Sequence, residues 1–224
     1  MRKKGPVIAI DGPSGAGKST TARLLAERLG YVYIDTGAMY RVIGWKAKRE
    51  GIDPSDEEKM ADLCRRTEVT IRQIGKHPAF FADGQDVTAE IRTPEMGMMA
   101  SAVSKSPSVR ARLLMLQRDL GRCGGVVMDG RDIGTVVFPD ADAKFFLDAS
   151  AEERGRRRYL ELKAKGLEVD LAQITKEIRD RDRQDSARSI APLRRADDAV
   201  LIDSTAMDID AVLEKMLSNI AKAK

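Results

Sequence analysis

Two spacings of apolar residues alternate along this chain, and the switches between them mark its elements. Val7-Ile8-Ala9-Ile10 is a short continuous apolar run and predicts a buried strand. Ala22, Leu25, Ala26 and Leu29 then share one face of a helix, and Gly30 stands where a helix C-terminus favours glycine. Tyr31 to Ile34 predicts a second strand, and Asp56 to Cys64 a short helix. From Glu68 to Gln73 the pattern alternates, with Val69 and Ile71 on one side. Phe80-Phe81 and Gln85-Asp86-Val87 continue as strand-like pieces around the tight-turn pair Asp83-Gly84. His77, before Pro78, is expected in an exposed turn with no chemical role. Residues 63 to 93 therefore read as a small antiparallel insert in a βα pattern.

Thr93 and Pro94 suit the N-cap and first position of a helix that runs through Met96, Met99 and Ala100 toward Ser101, with its methionines in the core. Ser106-Pro107 opens another helix. Its expected buried stripe is Val109, Leu113, Leu116 and Leu120, which leaves Arg110 off the stripe and open to a ligand. Apolar strands are expected at Gly125–Asp129, Ala143–Asp148 and Val200–Asp203, with helices over Ala151–Gly166 and Met207–Ala221. The sum is an α/β domain.

Chemistry enters in the loop after the first strand. Gly12-Pro13-Ser14-Gly15-Ala16-Gly17-Lys18-Ser19 is a complete phosphate-binding loop between a strand and a helix. Its glycines let backbone N–H groups turn toward an anion, and the helix N-terminus adds a positive dipole end. Lys18 can reach the β- and γ-phosphates, and the Ser19 hydroxyl can ligate Mg²⁺. In an open parallel sheet ligands sit beyond the carboxyl ends of strands, which places Asp35 and Thr36 near the loop. Asp129, closing an apolar strand, fits the second acidic element that orders Mg²⁺ or its waters.

Arginines need weighing against a plain solvated face. Tyr40 and Arg41, taken alone, read as exposed helix surface. Arg154, Arg157 and Arg158 share a helical face that Glu152, Glu153 and Glu161 could simply balance; three guanidiniums beside a phosphate loop could also close over a triphosphate. Arg181, Asp185 and Arg188 fall on one helical face, where pairing within the helix accounts for Arg181 and Asp185.

Composition narrows the partners. The 224 residues are 42% hydrophobic and 33% charged, with a net charge of +4, enough for one core and suited to an anionic small molecule. Aromatic residues at 4% argue against a stacking platform for single strands, and the modest charge argues against nucleic acid. One histidine excludes a multi-histidine metal site. Cys64 and Cys123 form no C-x-x-C and read as buried thiols of a reducing compartment. No run suits a signal peptide or a membrane span, so a cytoplasmic protein is expected, and a monomer, since no exposed apolar stripe stands out.

GPSGAGKS, DTGAMYR, Ala89-Glu90-Ile91-Arg92-Thr93, DGRDIGTVVFPDADAKFFLDAS and RDRQDSARSIAPL follow one another in an order that resembles the bacterial cytidylate kinases over nearly the whole chain. The resemblance implies a P-loop NTPase fold: a five-stranded parallel sheet flanked by helices, a small antiparallel nucleoside-monophosphate insert and a helical lid. The core would comprise 1–62, 94–150 and 190–224, the insert about 63–93 and the lid about 151–170. It implies transfer of the γ-phosphate of ATP to CMP or dCMP with Mg²⁺. Gly12 through Thr20, with Arg154 and Arg157, would hold ATP. Ser101, Arg110 and Asp132 would hold cytosine, and Arg181 and Asp185 the ribose. Arg41, Arg131 and Arg188 would surround the acceptor phosphate, with Thr36 and Tyr40 beside the substrate. Lys18, Arg131, Arg158 and Arg188 would act on the transferring group, and Ser19, Asp35 and Asp129 would hold the metal directly or through water. A kinase for UMP, AMP or shikimate would share the loop, but the residues around Ser101, Arg110 and Asp132 argue against it. A GTPase switch is disfavoured because N-K-x-D is absent.

Overall fold

The computed structural model describes residues 5–74 and 77–222. β1 (Val7–Asp11) is buried at every position, as a strand flanked on both sides must be. It pairs in parallel with β6 (Val126–Asp129) on one side and β7 (Ala143–Asp148) on the other. β2 (Val32–Asp35) and β8 (Val200–Asp203) close the edges, giving the order β2-β6-β1-β7-β8. Helices α1 (Lys18–Leu29) and α8 (Ile209–Lys222) send Ala22, Leu25, Val212, Leu213 and Met216 into one core with Ile8, Ile10, Phe145 and Ile202. Gly30 ends α1 in the left-handed conformation, φ 67°.

The chain divides into two compact units: residues up to Tyr33 together with those from Cys123, and Ile34–Arg122. In the first, α6 (Ala151–Ala164) and α7 (Leu171–Ser186) pair through a small cluster of Leu162, Ile174 and Ile178. A Cβ added at Gly155 would come 2.4 Å from the Thr175 hydroxyl oxygen, so the helices meet closely there.

The second unit holds α2 (Thr36–Arg49), α3 (Glu57–Arg66), α4 (Pro94–Val103) and α5 (Pro107–Gly121). It also holds the antiparallel sheet of β3 (Val69–Ile74), β4 (His77–Ala82) and β5 (Gln85–Asp86). Asp83 and Gly84 turn the chain between β4 and β5 with positive φ at both positions, as the turn pair predicts. Each helix start carries its cap: Asp35 accepts from Ala38, Asp56 from Lys59, Thr93 from Met96 and Ser106 from Val109.

Three expectations about these elements need correcting, and one turn goes beyond them. His77 is by its backbone the first residue of β4, paired with Ile74, and not part of a turn. On α5 the buried positions are Val109, Arg110, Leu113, Gln117 and Gly121, while Leu116 and Leu120 are half-buried. Arg110 thus belongs to the buried face. Cys64 is buried as expected, but Cys123 is half-buried. After β6 the chain makes a single π turn over Ile133–Val137, which no side-chain periodicity announces.

Candidate active site

The phosphate loop is built by close approach. A Cβ at Gly12 would lie 2.0 Å from the Leu147 carbonyl oxygen of β7, so only glycine fits. Gly17 stands at the N-cap of α1 with φ 92° and no side chain to satisfy the helix N-terminus, which leaves those N–H groups to an anion. Lys18 is buried, and its Nζ donates to the Pro13 carbonyl at 2.6 Å. Desolvation, and then the Arg131 guanidinium, hold its ammonium well below the usual lysine range, against the pull of Asp129 and Asp11. A polyanion beside this ammonium would favour its charged form.

Asp129, at the end of β6, accepts from the Ser19 hydroxyl at 2.8 Å and from the Tyr33 hydroxyl at 3.0 Å. A carboxylate and a hydroxyl in contact at the loop form a hard oxygen donor set, which fits Mg²⁺ completed by water and phosphate oxygens. Among the described residues no cluster of three or more His, Cys, Asp or Glu forms a metal cage. Tyr33 escaped the sequence reading because it looked like one residue of an apolar strand.

Asp11 escaped it too. It is 4% exposed, and its two oxygens accept from the backbone N–H groups of Ile133 at 2.8 Å and Gly134 at 2.7 Å. Burial pushes its carboxyl up to about 7, against the opposing pull of those amides. Beside it run Arg131 and Asp132. Arg131 Nε donates to Asp185 Oδ2 at 3.0 Å. The guanidinium of Arg188 donates to the other oxygen of Asp185, and Asp185 is 1% exposed. Arg188 lies beyond the end of α7 and not on its face, so the single helical face read from residue spacing ends at Asp185. Arg181 contributes positive potential at Lys18.

The three arginines of α6 diverge. Arg154 is buried and fully engaged: Nε donates to the Ala149 carbonyl at 2.8 Å, Nη1 to the Ser14 carbonyl at 3.0 Å, and Nη2 to Asp182 at 2.6 Å. Arg157 bridges Glu153 at 2.9 Å and the Ser204 carbonyl at 2.6 Å. Arg158 pairs with Glu161 at 2.7 Å on the outside. Asp182 and Ser204 carried no sequence signal of their own.

In the second unit Asp35 caps α2 with one oxygen and accepts from Arg92 with the other at 2.9 Å. Thr36 is buried. Arg41 donates to the Ile91 carbonyl at 3.3 Å, and the Arg110 guanidinium lies 5.9 Å from the Tyr40 ring centroid. Both Tyr40 and Arg41 are half-buried, so the solvated-face reading of that pair fails. Ser101 and Arg110 are each 8% exposed. Polar groups buried to that extent are held for a reason, since stranding them is costly.

A glycine loop between β1 and α1, beneath that strand order, defines the class of P-loop phosphotransferases. The fold is shared with a shikimate kinase from Acinetobacter baumannii in complex with shikimate, at TM-score 0.50 and 19% identity, covering 99% of this chain and 96% of that one. The cytidylate kinase family profile matches residues 8–222. A cytidylate kinase of Geobacter sp. strain M21 is 54% identical over 216 residues, 96% of this chain and 93% of that protein. One from Geobacter sulfurreducens is 56% identical over the same lengths. The chain belongs to the cytidylate kinase family.

Proposed function

We infer that the protein transfers the γ-phosphoryl group of ATP to CMP or dCMP, giving ADP and the nucleoside diphosphate. Family membership across residues 8–222 carries this reading. The attacking group is an oxygen of the acceptor phosphate, already anionic, so no strong general base is needed. The bond from γ-phosphorus to the bridging oxygen breaks as the new one forms. Catalysis is positioning plus neutralisation of charge, which suits a site rich in arginine with one buried lysine.

The roles follow from chemistry. Gly12 to Thr20 wrap the ATP phosphates, with Arg157 beside them. Lys18 bridges the transferring group and its leaving oxygen. Ser19 and Asp129 hold Mg²⁺, which when bound would offset phosphate charge; Asp35 is spoken for by its helix cap and Arg92. Arg41, Arg131 and Arg188 take the acceptor phosphate; Arg158 joins Arg131 and Arg188 on the moving phosphoryl group by leaving its partner Glu161. Arg181 and Asp185 take the ribose, and Thr36 and Tyr40 line the substrate.

Ser101, Arg110 and Asp132 read the base. Cytosine presents an amino donor and acceptors at N3 and O2, so a carboxylate accepts from the amino group while a hydroxyl and a guanidinium donate. Uracil reverses two of those positions and leaves buried polar groups mispaired, the strong mode of discrimination. The working form is taken as a monomer without nucleic acid. No helix among the described residues is long and apolar enough to cross a membrane. The test is an ADP-release assay with ATP and Mg²⁺, offering CMP, dCMP, UMP, AMP and shikimate in parallel. Turnover confined largely to CMP and dCMP is expected. Preference for any other acceptor would overturn the assignment.

A further inference from the structure

We propose that Asp11 is a positioning residue that sets the backbone of the Arg131–Asp132 segment from the end of β1. The proposal rests on the reading of Arg131 and Asp132 as substrate contacts. Its basis is a two-point suspension. On the near side of the segment, the Gly130 N–H donates to the Ile10 carbonyl of β1 at 3.0 Å. On the far side, the N–H groups of Ile133 and Gly134 donate to the two carboxylate oxygens of Asp11, the next residue of the same strand. Arg131 and Asp132 hang between these anchors, both fixed to the strand that runs straight into Gly12.

The turn beyond is closed with equal tightness. Val136 and Val137 donate to the Asp132 carbonyl at 2.9 and 3.2 Å, and Phe138 to that of Ile133 at 2.7 Å. A Cβ at Gly134 would sit 3.1 Å from Lys144 Cδ and 3.4 Å from Asp11 Oδ2, so a side chain there would crowd the turn against both. Burying a carboxylate costs free energy that an apolar residue would not incur. Two backbone amides aimed at one carboxylate are the compensation, and only an acceptor with two free oxygens satisfies both. Asparagine in the same volume keeps one acceptor and turns its NH₂ against the other amide. Loss of a purely structural brace would loosen the whole loop region, whereas loss of a positioning residue acts on the acceptor side.

The experiment compares wild type with Asp11→Asn and Asp132→Ala. It measures KM for CMP and ATP separately, the ratio of kcat/KM for CMP over UMP, and amide hydrogen exchange over 130–138. For Asp11→Asn, exchanging one acceptor oxygen for an NH₂ that faces a backbone amide should raise KM for CMP about tenfold and shrink the CMP-to-UMP ratio roughly fivefold, with KM for ATP within about twofold. The amides of Ile133 and Gly134 should exchange faster. Equal rises in both KM values, or faster exchange with an unchanged KM for CMP, would overturn the proposal. Should Asp132→Ala leave the CMP-to-UMP ratio unchanged, it is the base-reading role of Asp132 that fails, and Asp11 is then decided by KM for CMP and exchange alone. Gly134→Ala crowds the same turn, its Cβ 3.1 Å from Lys144 Cδ and 3.4 Å from Asp11 Oδ2, while keeping both Asp11 oxygens as acceptors; it carries the same comparison if Asp11→Asn does not fold.

Discussion

The Lys18 ammonium is buried beside two carboxylates and within the field of two arginines, and burial makes its charge costly in the ligand-free protein. Its hydrogen bond to the Pro13 carbonyl offsets little of that cost. Two consequences separate binding chemistry from stability. Lys18→Met keeps the stem and deletes the charge, so the ligand-free protein should melt at the same temperature or higher. Turnover should fall by about 10²-fold or more, the scale of losing one preorganised charge at a developing anion. Differential scanning fluorimetry and the ADP-release assay on the same preparation check both. A variant that is destabilised yet near wild-type in turnover would remove Lys18 from the chemistry. The same residue shows what a sequence can carry: Lys18, Ser19 and Asp129 are legible because their motif dictates a local strand-loop-helix context. Asp11, Tyr33 and Asp182 are not, because each acquires its role from a partner distant in sequence.

At the scale of elements, α2 and α4 meet through Gly44. A Cβ there would stand 2.9 Å from Met99 Cβ and 3.2 Å from the Met99 carbonyl carbon, atoms that move only if α4 moves. Replacing glycine by alanine in a helix gains about 1 kcal/mol from propensity. Forcing an extra carbon into a packed contact costs about 1–3 kcal/mol. With the clash against backbone the cost should win, so Gly44→Ala should lower stability by about 1 kcal/mol in urea unfolding at unchanged m-value. A rise in stability would mean that the helices slide apart freely. Elements whose ends are set locally were readable in advance: Thr93 and Ser106 cap their helices, and Gly30 ends α1. The buried face of α5 was misread because Arg110 and Gln117 occupy it, and only their surroundings, not their type, could reveal that. The π turn at Ile133–Val137 was invisible because its bonds skip the spacings that pattern side chains.

For the whole molecule, carboxylates of opposite temperament shape stability across pH. Glu50 is held at about 2 by Arg66 chiefly, and Glu153 at about 2 by Arg156. Unfolded, both would take up protons near the ordinary glutamate value, so the unfolded chain binds more protons in between. Their stabilisation is present above that value and is lost as pH falls toward 2. Asp11 has the reverse sign. Its folded value of about 7 lies above the ordinary 3.8, so the native state holds the extra proton across that window. Its contribution is full below 3.8 and is lost as pH rises through 7. Lys18, held low by burial, adds stability as pH climbs toward the ordinary lysine range, so the test is a comparison of two proteins and not one curve. Melting temperatures of wild type and Asp11→Asn, read from pH 3 to 8, should differ most at the acid end, the wild-type advantage shrinking between roughly pH 4 and 7. Salt distinguishes the two groups. The exposed pairs of Glu50 and Glu153 are screened, so added salt should flatten the acid limb common to both proteins, while the gap set by buried Asp11 should persist. Parallel curves for the two proteins would show that the Asp11 carboxyl titrates outside this window.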